Sequence, residues 1–150
     1  MLTKLNQYFE SLFEQESTQS NHQNTIELAS AVLMIEIALA DGHFDSDEKS
    51  TIKSLIQTEF EMDEAQLDAL IELAEAEVDQ SVSLQSFTRL LTDQLEMEQR
   101  IKVIRDLWRI AFADAVIDKY EEYHIRKIAD LLYISHADYI KAKHDADKNN

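Results

Sequence analysis

The apolar run that begins at Thr25 ends in Ile37-Ala38-Leu39-Ala40-Asp41-Gly42-His43-Phe44-Asp45. A similar stretch follows after a shift of 73 residues, as Ile110-Ala111-Phe112-Ala113-Asp114-Ala115-Val116-Ile117-Asp118. The similarity continues beyond these stretches, where Glu48 aligns with Glu121 and Ile52 aligns with Ile125. Two copies are too few for a solenoid. We therefore expect duplicated helical hairpins, each extended by a third helix, packed about a pseudo-two-fold axis.

The composition indicates a single all-α domain, and the apolar spacing with the helix-start signals predicts seven to eight helices. The chain has 150 residues, no proline and one glycine, Gly42, whereas β-proteins of this size need many turn residues with special backbone angles. Apolar residues make up 45% of the chain, which is enough for one hydrophobic core. The most apolar stretch, 28–40, contains Ser30 and Glu36 and is shorter than the roughly 20 residues that cross a bilayer. We expect it to be a buried helix.

The apolar spacing divides the chain into four predicted segments. Residues 1–16 form an amphipathic helix, 17–24 a polar linker, 25–145 the compact helical domain and 146–150 a disordered tail. The apolar stripe of the first helix requires a partner surface. Three surfaces fit it: the compact domain itself, a helix of another protein, or a second copy of the chain in a homodimer.

The charge of the chain restricts its partners. It carries 30 acidic and 14 basic residues, a formal net charge of −16. This field repels phosphate backbones and anionic lipid headgroups, so we expect no nucleic acid, no direct membrane insertion, and protein partners with basic or apolar surfaces. The absence of cysteine removes disulfides, thiolate metal sites and cysteine nucleophiles. The opening residues lack the pattern of a secretory signal, and we expect a cytoplasmic location.

The motif Ala38-Leu39-Ala40-Asp41-Gly42, with Asp45 and Glu48 after it, resembles the TerB-like family associated with bacterial tellurite resistance. The second copy repeats the acidic positions but has Ala115 in place of the glycine. The resemblance covers roughly residues 25–145. It implies an all-helical cytoplasmic domain with two acidic clusters, a divalent-cation site and a role in stress-response complexes. Related domains occur beside other modules, including in a membrane-anchored J-domain co-chaperone, so the domain type alone does not fix a pathway.

Two interpretations are open for the acidic clusters. In each copy an Asp and a Glu three residues apart stand where the next helix begins, which is typical of a helix cap. Another Asp, Asp41 or Asp114, follows the C-terminal end of a long helix, where the helix dipole disfavours a carboxylate. A cation, or amide donors from the next helix, would offset that cost. The candidate metal ligands offer oxygen atoms suited to Ca²⁺ or Mg²⁺, with Mn²⁺ and Zn²⁺ as alternatives: Asp41, Asp45, Asp47, Glu48, Asp114, Asp118 and Glu121.

Two better-defined metal motifs are missing from the sequence. An EF-hand loop counted from Asp41 has Ser46 where a glycine is required and Ile52 where a bidentate glutamate is required. A di-iron bundle needs two Glu-x-x-His pairs, and the sequence Glu121-Glu122-Tyr123-His124 supplies one.

Glu36 interrupts the apolar run, and the repeat places Arg109 at the equivalent position of the other long helix. A lone buried carboxylate is costly. We predict an ion pair between Glu36 and Arg109 that fixes the register of the two helices. The alternative is that Glu36 reaches the surface.

No catalytic constellation is recognised, because the sequence lacks a phosphate-binding glycine loop, a nucleophile elbow and a His-Glu-x-x-His motif. We therefore expect a non-enzymatic binding module that holds a divalent cation and joins a stress-related assembly. A metal-free interaction scaffold that uses its acidic surface is the first alternative. A metal-dependent hydrolase is the less favoured one, since it needs an open coordination position and an activated water.

Overall fold

A computed structural model describes residues 4–15, 23–40, 46–60, 62–76, 83–113 and 119–148. These residues form eight α-helices and no strand, which confirms the expected all-α class. The helices are α1 (Lys4–Gln15), α2 (Gln23–Ala40), α3 (Ser46–Phe60), α4 (Glu64–Ala76), α5 (Ser83–Gln94), α6 (Met97–Ala113), α7 (Lys119–Leu131) and α8 (His136–Lys148).

Helix α2 lies at the centre of the core. Every residue from 28 to 35 is buried, including the polar Ser30. The helix contacts α1, α3, α4 and α6, so it has neighbours on several sides. Complete burial of a Leu, Val or Ile side chain contributes roughly 1.5–3 kcal/mol, and α2 supplies several of them. An apolar sequence without a polar face is therefore stable only as the central element of the bundle.

The second central helix is α6, which contacts α2, α3, α7 and α8. Trp108, near its middle, is fully buried and stacks on Phe112 with 5.5 Å between the ring centroids. The Nζ atom of Lys143, on α8, lies 4.8 Å from the centroid of the Trp108 ring. This contact adds a cation–π attraction to the apolar packing of α8 on α6.

The two central helices have corresponding neighbours. Helix α2 contacts α3 and α4, and helix α6 contacts α7 and α8. The internal duplication and its two-fold axis stay predictions.

Helix α1 packs against the rest of the domain. Leu5, Phe9 and Phe13, spaced by four residues, are all buried. The ring of Phe9 meets that of Phe87 on α5 edge to face, with 4.9 Å between centroids. The helix also contacts α2 and α4. Of the three partner surfaces considered for its apolar stripe, the structure places the chain's own helices against it.

Side-chain caps mark the starts of two helices. The Oδ2 atom of Asp63 accepts a hydrogen bond from the backbone N–H of Gln66 at 3.3 Å, before α4. The Oγ atom of Ser135 accepts one from the backbone N–H of Asp138 at 3.2 Å, before α8. Each bond satisfies an amide that has no partner inside its helix. Asp63 and Ser135 therefore stabilise the starts of α4 and α8.

Two segment boundaries differ from the predicted ones. Helix α2 begins at Gln23, two residues before the predicted start of the compact domain. Helix α8 continues to Lys148, into the segment predicted as a disordered tail, because Ala146 in its last turn is fully buried. Most of the predicted linker lies outside the described residues. No helix in the described part of the chain combines the length and the apolar composition needed to cross a membrane.

We expect Phe9→Ala to lower the free energy of unfolding by about 3–5 kcal/mol, because it removes a fully buried ring and leaves a cavity. Urea denaturation measures this loss. Gln7→Ala, at an exposed position of the same helix, is the control and should stay within about 0.5 kcal/mol of the unsubstituted protein. A loss below about 1 kcal/mol for Phe9→Ala would mean that α1 does not pack on the domain in solution.

Candidate functional site

Most of the predicted metal ligands lie outside the described residues. This is the case for Asp41, Asp45, Asp114 and Asp118, and for the side chains of Glu48 and Glu121. Asp47 is described, and it is exposed in the first turn of α3. Within the described ranges, no group of three or more His, Cys, Asp or Glu side chains is placed to hold a metal ion. The predicted ligand set therefore stays a prediction.

A buried carboxylate that the sequence analysis missed lies between α2 and α6. Asp106 is 2% exposed, and its Oδ2 atom lies 3.4 Å from the Oγ atom of Ser30. The Ser30 hydroxyl also donates to the backbone carbonyl of Ile26 at 2.9 Å. A hydroxyl group has one hydrogen and makes one strong hydrogen bond with it, and the Ile26 carbonyl is nearer than the Asp106 carboxyl oxygen. Asp106 therefore receives only a long donor contact from Ser30, which does little to offset its burial.

The electrostatic surroundings agree with this geometry. Burial raises the pKa of Asp106 to about 6, because the charged form loses its hydration. The guanidinium groups of Arg109 and Arg105 act in the opposite direction, whereas the carboxylate of Glu27 adds to the increase in pKa. The carboxyl group of Asp106 therefore changes its charge near neutral pH.

Arg109 connects this carboxyl group to the end of α3. Its Nη1 atom lies 3.3 Å from Oδ1 of Asp106. Its Nη2 atom donates to the backbone carbonyl of Glu59 at 3.0 Å and lies 3.4 Å from the Oε1 atom of the same residue. The guanidinium carbon is 5.2 Å from the centroid of the Phe60 ring. A cation at the last turn of a helix satisfies free carbonyls and suits the helix dipole.

The structure thus brings Arg109 together with Asp106 and Glu59. The predicted partner, Glu36, is half-buried on α2. Its pairing with Arg109 stays a prediction. A sequence signal for the observed pair did exist, because Asp106 lies three residues before Arg109 and therefore on the same side of α6. Asp106 also interrupts the apolar pattern of that helix, as Glu36 does in α2.

The described residues form an all-helical bundle with two buried central helices, which places this protein in the class of small α-helical domains. The family described as tellurite resistance protein TerB matches residues 27–144. Since this match covers most of the chain, the chain belongs to the TerB family. The matched range begins in α2 and ends in α8, so α1 lies outside it. No curated protein and no solved structure matches the chain.

We expect Asp106→Asn to change the pH dependence of stability. The pKa of Asp106 is higher in the folded chain, about 6, than the ordinary 3.8 of the unfolded chain. Its stabilising contribution is therefore complete below about pH 4 and is lost as the pH rises through 6. Asp106 should therefore make the free energy of unfolding about 1.4 kcal/mol larger at pH 5 than at pH 7.5.

Urea denaturation at these two pH values measures the effect, and Asp106→Asn should remove it. Asp130→Asn, which removes an exposed carboxylate of α7, controls for the change in net charge. If Asp106→Asn and Asp130→Asn gave the same pH profile, the assignment of this titration to Asp106 would be wrong.

Arg109→Ala should destabilise the domain more when Asp106 is present than when it is Asn. The reason is that the single substitution leaves a buried carboxylate without its guanidinium partner. A double-mutant cycle at pH 7.5 measures this coupling, which we expect to be at least about 0.5 kcal/mol. Additive losses would show that the two side chains do not interact in solution.

Proposed function

We propose that this TerB-family domain is a non-enzymatic binding module that joins a cytoplasmic stress-response assembly and holds a divalent cation in the acidic loop after α2. The family match supports the relation to tellurite resistance. The cation, the assembly, the location and the absence of catalysis are parts of the proposal.

One observation carries the cation part of the proposal, namely the chemistry at the ends of the two central helices. Neither α2 nor α6 has a basic residue in its last turn. The sequence continues at once with Asp41 after α2 and with Asp114 after α6. In each case the negative end of a helix dipole is followed by a carboxylate, and the last turn of the helix supplies no basic side chain to offset these charges. A divalent cation bound there would offset both negative charges.

The donor set suits hard cations. Carboxylate oxygens are the ligands that Ca²⁺ and Mg²⁺ prefer, and Mn²⁺ and Zn²⁺ also accept them. The proposed ligands in the first loop are Asp41, Asp45, Asp47 and Glu48. The second loop, with Asp114, Asp118 and Glu121, has Ala115 in place of the glycine, so we assign the cation to the first loop.

A metal-free scaffold is the second candidate function, and the surface of α4 favours it. Glu64, Asp68 and Glu72 are exposed at intervals of four residues and form an acidic stripe along this helix. The Nζ atom of Lys53, on α3, lies 2.8 Å from carboxylate oxygens of both Glu64 and Asp68. Glu72, one turn further along, extends the stripe. Such a stripe attracts a partner protein with a basic surface.

Thermal denaturation in chelator, and then with Ca²⁺, Mg²⁺, Mn²⁺ or Zn²⁺ at near-physiological salt, tests the cation site. A cation that binds the native state raises the melting temperature, with a stabilisation of about 2.7 kcal/mol at one hundred times its dissociation constant. We expect a shift that is selective for one cation, is abolished by Asp41→Asn and is kept by Asp114→Asn. Glu72→Gln removes the same charge from α4 and should keep the shift.

Equal shifts for Asp41→Asn and Glu72→Gln would mean that the acidic chain attracts the cation diffusely, and the scaffold would become the favoured function. The scaffold would be supported directly by a basic partner that binds in the presence of chelator and whose binding weakens as the salt concentration rises. The Asp41→Asn variant should bind this partner as well as the unsubstituted protein does. The hydrolase alternative requires a metal-dependent turnover that Asp41→Asn abolishes.

A further inference from the structure

A cleft of about 630 Å³ lies between α5 and the turn that joins α7 to α8. Helix α5 lines one side over two turns, from Gln85 to Asp93. Leu131 and Tyr133 line the other side. None of these residues belongs to the Asp106 network or to the proposed cation loop.

Tyr133 has an unfavourable backbone conformation at the edge of this cleft. Its φ of 59° lies in the left-handed region, which favours glycine. The conformation ends α7 in a Schellman-type turn, where the N–H of Ile134 donates to the carbonyl of Ala129 and the N–H of Tyr133 donates to that of Asp130, both at 3.0 Å. Tyr133 is 73% exposed, so little burial offsets the strain. Strain at an exposed aromatic residue suggests a role for its side chain in binding.

The turn that carries Tyr133 is firmly held. Leu132 and Ile134, on either side of it, are buried. The Nη1 atom of Arg100, on α6, donates to the backbone carbonyl of Leu132 at 2.6 Å. The tyrosine ring is therefore presented to solvent from a fixed base, an arrangement that reduces the entropy lost when a partner binds.

The wall formed by α5 carries both hydrogen-bond acceptors and donors. The hydroxyls of Thr88 and Thr92 donate to backbone carbonyls of α5 at 2.9 to 3.1 Å. Thr88 is buried, so the half-buried Thr92 is the one whose hydroxyl oxygen keeps a lone pair for a ligand. Asp93 adds a carboxylate to the same wall. Arg89, one turn before Asp93, adds a guanidinium group that donates hydrogen bonds.

The charges determine which ligand fits. Arg89 and Asp93 cancel within the cleft, so the formal charge of −16 on the whole chain sets the field that an approaching partner meets. That field attracts cations. The Asp93 carboxylate, the Thr92 hydroxyl and the face of the Tyr133 ring are groups that bind an ammonium or guanidinium group.

We propose that this cleft binds an extended basic segment of a partner protein. A Lys or Arg side chain of the partner lies against the Asp93 carboxylate and the Tyr133 ring, and a backbone carbonyl of the partner accepts from Arg89. The α5 wall from residue 85 to residue 93 is about 12 Å long at 1.5 Å per residue, which matches about four residues of extended chain. The inference rests on the proposed binding-module function but requires no cation.

Fluorescence titration with a labelled octapeptide of alternating lysine and alanine, in chelator, tests this site. Asp93→Asn should weaken binding by about threefold to fivefold. Asp147→Asn removes the same charge from an exposed position of α8 and should change binding by less than about twofold. An octapeptide of alternating glutamate and alanine should not bind. Equal effects of the two substitutions, or binding of the acidic peptide, would overturn the proposal.

Substitution of Tyr133 gives a second test. Because the variant is expected to be more stable than the unsubstituted protein, weaker binding cannot result from unfolding. Tyr133→Gly should raise the melting temperature by about 2–4 °C, because glycine relieves the left-handed strain. The same substitution should weaken peptide binding by about threefold to fivefold, whereas Tyr133→Phe should keep most of it. Unchanged binding by Tyr133→Gly would overturn the proposal. Because chelator is present throughout, such a failure leaves the cation proposal unaffected.

Discussion

The rest of the structure depends on the burial of α2. Its residues from 28 to 35 are all buried, so other helices must cover several sides of it, and α1, α3, α4 and α6 do so. A polar group is tolerated at such a place only when it has partners. Ser30 meets this condition by bonding to its own helix and facing Asp106 on α6. The contact between Ser30 and Asp106 therefore joins the two central helices.

The Asp106 network extends this contact to a third helix. Arg109 reaches from Asp106 to the carbonyl of Glu59, so one side chain links α6 to the last turn of α3. A buried pair of this kind adds little net stability, since desolvation of the two groups opposes their attraction. Removal of one partner is nevertheless costly. If the three helices packed in another register, Asp106 and Arg109 would lose these partners. The network therefore contributes to the specificity of the fold.

Composition and apolar spacing were sufficient for the fold class, because both act through local structure. Caps such as Asp63 and Ser135 also act within one turn, so they belong to the part of the fold that a local sequence can specify. The burial of Asp106 could not be predicted in this way, since it depends on where α2 and α6 cross. The apolar stripe of α1 indicated that this helix packs against another surface, but it did not distinguish the chain's own helices from a second protein. Tyr133 was missed because a left-handed helix terminus normally has glycine. The acidic ligand set lies largely outside the described residues and stays predicted.

Helix α6 lies between the two proposed sites. Arg100, in its first turn, holds the turn of Tyr133, and Asp106 faces Ser30 on α2, the helix that precedes the proposed cation ligands. About 9 Å of α6 separates Arg100 from Asp106. Coupling between distant sites requires an element with two arrangements, and α6 is described as one continuous helix packed against four others. With a single arrangement, α6 holds its neighbours in place and transmits no change from one site to the other. Cation binding and peptide binding are therefore expected to be independent, so that the domain would act as a fixed adaptor.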